Sequence, residues 1–209
     1  MTSGLSGVRA DQGRSYRDLE NTARSVRNYL KLAPDQAIDA LHLFENLDQI
    51  SLKMKGGRII PLRERVDALE DSEGYTRYDE KNNILEIVAS EATYRGLELG
   101  HPRAGYFVAH ELGHCVLHTD QLVRLAQLPT PQQAAFHRGR ADHRHYEDTE
   151  WQANAFASAL LMPAEGIQAL EQEHKLLNAS LIAMQFSVSE EAAGYRLDLF
   201  QNRREQLLI

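Results

Sequence analysis

The chain has 209 residues, a net charge of −7, 43% apolar and 25% charged residues. That balance suits one globular domain, with or without a helical appendage, and excludes a disordered or fibrous chain. The acidic excess argues against non-specific duplex binding as the main task, and no apolar run approaches the roughly 18 residues of a membrane span.

Residues 1 to 14 are polar and rich in Gly and Ser, and read as a loose terminus without the apolar core of a secretory signal. From Tyr16 to Leu32, Leu19, Ala23, Val26, Tyr29 and Leu30 recur at helical spacing. A second helical pattern runs through Ala37, Leu41, Leu43, Phe44 and Leu47, and Pro34 suits its first turn. Short strands are expected at Ile50–Leu52 and Ile59–Pro61, with Gly56-Gly57 as a turn between them. Gly74–Tyr78 and Ile84–Val88 flank the polar residues 79–83 and read as a β-hairpin. Ala104–His118 forms a strong helical pattern, residues 129–147 read at least partly as loop, and Thr149–Met162 is a further helix stopped by Pro163. Two or three helices complete the chain. Helices, then strands, then helices point to an α+β fold.

His110-Glu111-Leu112-Gly113-His114 is the most informative segment. Two histidines four residues apart share one helix face, about 6 Å apart along the axis, so both imidazoles can reach one ion. Glu111 lies beside that face, where it can act on a water without occupying a coordination position. This is the H-E-x-x-H spacing of zinc proteases. Chance produces it in roughly three of a hundred such chains, so its helical context matters. Val108, Leu112, Cys115 and Val116 fall on the opposite face, giving an apolar back and a polar front.

Zinc requires a third protein ligand and an open position. His118 lies about 12 Å along the helix from His110, too far to join an unbroken one. Asp120 sits where the third ligand of metzincin-like enzymes would fall, but those need a glycine where this chain has Leu117. His143 and His145 stand on the following loop. Glu150 is the best-spaced candidate. Thr149 and Gln152 have capping-box spacing, and Asn154 lies one turn after Glu150, where its amide can accept the N–H of a ligand histidine. Spacing alone leaves these choices open.

The two blocks His110-Glu111-Leu112-Gly113-His114-x-x-Leu117-His118 and Glu150-x-x-Ala153-Asn154-x-Phe156-Ala157-x-x-Leu160-Leu161-Met162-Pro163 resemble the ImmA/IrrE-type metallo-endopeptidases. Phe186–Ser189 with Tyr195-Arg196-Leu197 resembles their C-terminal helical segment. The resemblance implies a small zincin-like catalytic domain, with a short antiparallel or mixed sheet and flanking helices. It implies one Zn²⁺ per chain on His110, His114 and Glu150, with Glu111 catalytic. The expected organisation is residues 1–47 as tail and helices, 48–163 as zincin-like catalytic core and 164–209 as a helical segment packed on it; the resemblance spans roughly residues 50 to 200. The implied function is a cytoplasmic regulatory protease that cleaves a helix-turn-helix repressor in a stress, mobile-element or defence system. Two other classes compete: a metal-containing docking module without proteolysis, and a protease toxin with a host target. The intact Glu111 speaks against the first, because metal binding alone does not need it.

Tyr106, His143, His145 and Tyr146 are candidate donors to the tetrahedral oxyanion. The basic stretch from Phe136 to His145 can hold an acidic peptide or a single-stranded nucleic acid activator, or be a solvated loop. Ser189 is expected to cap a helix whose first turn holds Glu190 and Glu191. Two acids there repel phosphate and suit a structural or substrate-docking helix better than a DNA-reading one. Cys115, the single cysteine, points toward the core and reads as an inert buried thiol; Trp151, Phe156, Leu160 and Leu161 read as core.

Overall fold

The computed structural model describes residues 8–129 and 143–208. Among them, eight α-helices surround a mixed four-stranded sheet. The helices are α1 (Tyr16–Tyr29), α2 (Ala40–Glu45), α3 (Glu91–Glu98), α4 (Pro102–Ala126), α5 (Thr149–Leu161), α6 (Ala164–Glu173), α7 (Ala179–Phe186) and α8 (Glu190–Leu207). The strands are β1 (Ser51–Lys53), β2 (Ile59–Asp67), β3 (Gly74–Asp79) and β4 (Ile84–Ser90). The fold is α+β, a small zincin-like domain with helices on either side of it in sequence.

The sheet order is β1-β2-β4-β3. The hairpin expected from residues 74–88 forms, with β3 antiparallel to β4 and Thr76 opposite Ile87. β4 then lies parallel to β2, with Leu62 opposite Leu85. Every residue of β4 is buried, as a central strand requires. β3 is the edge nearest α4, which brings Thr76 over the helix carrying His110 and His114.

Three expectations need correction. Pro34 lies outside α2, whose cap is Asp39; its carboxylate accepts from the His42 N–H. β2 does not stop at Pro61 but continues through Arg63-Glu64-Arg65 to Asp67, because parallel pairing with β4 takes up its backbone. α5 is capped by Asp148, whose carboxylate accepts from the Trp151 N–H at 2.9 Å. Thr149 and Gln152 therefore form no capping box. Instead the Thr149 hydroxyl accepts from the Val8 N–H at 3.1 Å, and the Thr149 N–H donates to the Val8 carbonyl at 3.0 Å. Gln152 donates to the Gln12 and Tyr146 carbonyls. The segment leading into α1 is thereby tied to the start of α5.

One apolar cluster extends from Leu19 in α1 to Leu207 in α8. Inside it, Arg196 makes a two-pronged ion pair with Glu20 at 2.8 and 2.9 Å, and both side chains are buried. Arg196 also donates to the Met162 carbonyl, and Glu20 accepts the Ala164 N–H. α1, the α5–α6 corner and α8 therefore meet at one charge pair. No helix among the described residues is long and apolar enough to cross a membrane.

Candidate metal centre

α4 and α5 cross at Gly113. A Cβ there would lie 2.9 Å from the Phe156 ring and 3.3 Å from the Ala153 Cα. The absence of a side chain lets the two backbones approach closely enough for the first turn of α5 to face the histidines of α4. Val108, Leu112 and Cys115 fill the apolar back of α4 and are fully buried.

On the front, His110, His114 and Glu150 converge, with one ligand atom from each within 4.8 Å of the others. The two Nε2 atoms are 3.1 Å apart. Glu150 turns one carboxylate oxygen to each ring, at 3.2 Å from His110 and 3.3 Å from His114. Donors on a tetrahedral zinc, at about 2.0–2.1 Å from the metal, stand about 3.3–3.4 Å apart. The spacing fits such an ion.

The hydrogen bonding fits as well. Asn154 Oδ1 accepts from His110 Nδ1 at 3.0 Å, so a neutral His110 ring presents a bare Nε2 to the cluster. A lone pair facing a carboxylate is an arrangement that a cation resolves. Burial opposes charge on His110, but the Glu150 hydrogen bond and the Glu111 and Glu150 charges outweigh it and raise its pKa. Its close contacts with His110 and His114 hold the Glu150 carboxyl well below the usual carboxylate range.

Glu111 is buried beside this cluster, and the Thr76 hydroxyl donates to its Oε2 at 2.7 Å. Sequence reasoning missed Thr76. It lies on a strand 35 residues away, and only the register of β3 against β4 carries it there. Tyr106, one turn before His110, lines the cleft beside it and lies 3.2 Å from Asn154. Burial pushes its phenol up to about 12, so it remains an O–H donor at neutral pH.

The remaining candidates fall elsewhere. Asp120 faces a separate depression with Arg14 and Lys53. His118 is buried at a break in α4, where its φ of −125° departs from helical values, and it does not join the three donors. The His143 side chain is buried and its Nε2 lies 3.0 Å from the Asp148 carboxylate. His145 and Tyr146 lie on the short 3-10 turn before α5; Tyr146 is exposed, with Arg144 donating to its hydroxyl. Of the basic stretch, residues 136–142 lie outside the described residues. Cys115 is buried, and desolvation pushes its thiol far up, which suits an unreactive side chain. Phe156, Leu160 and Leu161 are core, whereas Trp151 is only partly buried and lines the cleft, edge-on to Tyr16 at 5.0 Å.

Residues 98–198 match the model of the IrrE N-terminal-like domain, Peptidase_M78. The match takes in just under half of the chain, and over these residues it is similar to the M78 peptidase family. That is a metallopeptidase-type family, and the match contains all three converging donors and Glu111. No curated protein matches the chain. Among chains of known structure, a Mycobacterium tuberculosis transcriptional regulator is similar at 20% identity and a TM-score of 0.48. The alignment covers 90% of this chain and 57% of that one, so the chain spans little more than half of that regulator.

Proposed function

We propose that this chain is a zinc endopeptidase of the cytoplasm that cuts a specific protein, a helix-turn-helix transcriptional repressor. The observation that carries the reading is the convergence of His110, His114 and Glu150 beside a Glu111 carboxylate that is not one of the three donors. A docking module would need the donors alone.

His110, His114 and Glu150 would hold the ion. When bound, it supplies Lewis-acid polarisation of the scissile carbonyl and lowers the pKa of water. Glu111 accepts a proton from water and passes it to the leaving amine nitrogen. The Thr76 hydroxyl fixes one oxygen of that carboxylate and leaves the other to act. Asn154 keeps the His110 ring in the tautomer that presents Nε2. Tyr106 lends its O–H to the developing oxyanion. The repressor as substrate rests on the family resemblance of the two sequence blocks.

Glu111→Gln tests the mechanism. Zinc content measured by atomic absorption stays at the wild-type level, while cleavage of a co-expressed repressor falls by at least about a hundredfold, the lower range for a lost acid–base group. Wild-type turnover in this variant would remove Glu111 from the reaction.

A further inference from the structure

The cleft beside His110 and Glu111 holds about 1500 Å³. Small-molecule sites occupy about 300–1,000 Å³, so this one suits a length of polymer. One wall is a stripe of α8, formed by Glu191, Ala192, Tyr195, Asp198, Leu199 and Asn202. These recur at the three- and four-residue intervals of a single helix face. Asp71 and Glu73, ahead of β3, border the same space.

The charges on this lining are one-sided. Its two arginines are engaged: Arg103 pairs with Glu73 at 2.5 Å, and Arg203 stacks over the Tyr16 ring at 5.3 Å. Asp71, Glu191 and Asp198 have no ion-pair partner among the described residues. The helix dipole accounts for acids in the first turn of α8, where Glu191 lies. It gives no reason for Asp198 in the middle of the helix. Between these two carboxylates stands Tyr195, which is 69% exposed. An outward aromatic ring flanked on its own helix face by carboxylates is a seat for a cation, because ring face and acids attract the same charge.

We infer that the α8 stripe determines specificity: it admits a Lys- or Arg-bearing segment of the substrate, with the cation over Tyr195 between Glu191 and Asp198. The inference rests on the peptidase reading for the statement that substrate occupies this cleft. Acidic segments and nucleic acid are turned away by the same carboxylates. Each contact is solvent-exposed and small, so the preference is the sum of several and weakens as salt rises.

The test uses the full zinc-loaded chain and short dye-labelled peptides of one length. The peptides carry Lys, Gln or Glu at the same positions around a constant aromatic residue. In fluorescence anisotropy at low salt, the Lys peptide binds about tenfold tighter than the Gln peptide, and the Glu peptide binds weakest. Glu191→Gln with Asp198→Asn abolishes the difference, and Tyr195→Ala reduces it. All three positions are on the surface, and circular dichroism checks that each variant is folded. Glu80→Gln with Glu173→Gln, which removes two exposed acids outside the cleft, keeps the preference. Equal binding of Lys and Gln peptides overturns the inference. So does a preference that survives at Glu191 and Asp198, or one that falls equally in the Glu80 and Glu173 control. Cleavage of the same peptides is scored separately. A Lys peptide that binds through the stripe and stays uncut counts against the peptidase reading and leaves this one standing. Cutting without charge preference does the reverse.

Discussion

Asn154 shows how one amide can organise a candidate metal site without being one of its donors. Its Oδ1 accepts from His110 Nδ1 and lies within reach of the Tyr106 hydroxyl, so one side chain sets a ring tautomer and steadies a phenol. If the proposed zinc binds here, Asn154→Ala should weaken its binding about 10- to 100-fold, the usual effect of losing such a partner. Competition with a chromophoric chelator measures it, and a change under about twofold would mean that the ring is held by other contacts. Glu150 and Asn154 were legible in the sequence because a helix puts residues four apart on one face. Thr76 was not, since nothing near it in the chain marks a hydroxyl that will meet Glu111. Asp148 was passed over for Thr149 because both are good caps one residue apart. The choice was decided by the Val8 backbone, which occupies the threonine hydroxyl.

The long helix α4 changes character where His118 breaks it. The ring is buried, its Nε2 has no partner among the described residues, and burial followed by the His114 charge drives its pKa down to about 3. An unfolded histidine takes up its proton near pH 6.5. Between those values the unfolded chain binds a proton that the folded chain refuses, so stability falls as pH drops through this window. From pH 7 to pH 5 the cost is about 2 kcal/mol for this one group. Urea unfolding of metal-free protein at both pH values should show that loss, reduced by about the same amount in His118→Gln. An equal loss in both proteins would contradict the assignment. The break itself left no mark in the sequence, because 102–126 contains no proline after Pro102. α3 also escaped notice. Two turns show too little periodicity to register, although Ser90 caps it. β2 was cut short because its second half alternates charges, as the open face of a sheet allows.

Across the whole molecule, the Glu20–Arg196 pair joins residues 176 positions apart and holds α1 and α8 against the α5–α6 corner. No sequence pattern reveals such a pair. Its strength lies in mutual satisfaction: removing either partner strands a buried charge, which costs about 3–5 kcal/mol. Arg196→Met should lower the unfolding free energy by that amount in urea titration. Adding Glu20→Leu to it should restore part of the loss. A double variant no more stable than Arg196→Met would show that the pair is not the cause. The ties between Val8 and Thr149 act at the same scale. Val8 is thereby bonded to the residue that directly precedes Glu150. A reporter dye carried at Val8 would sit next to the chemistry, sensing it and disturbing it together.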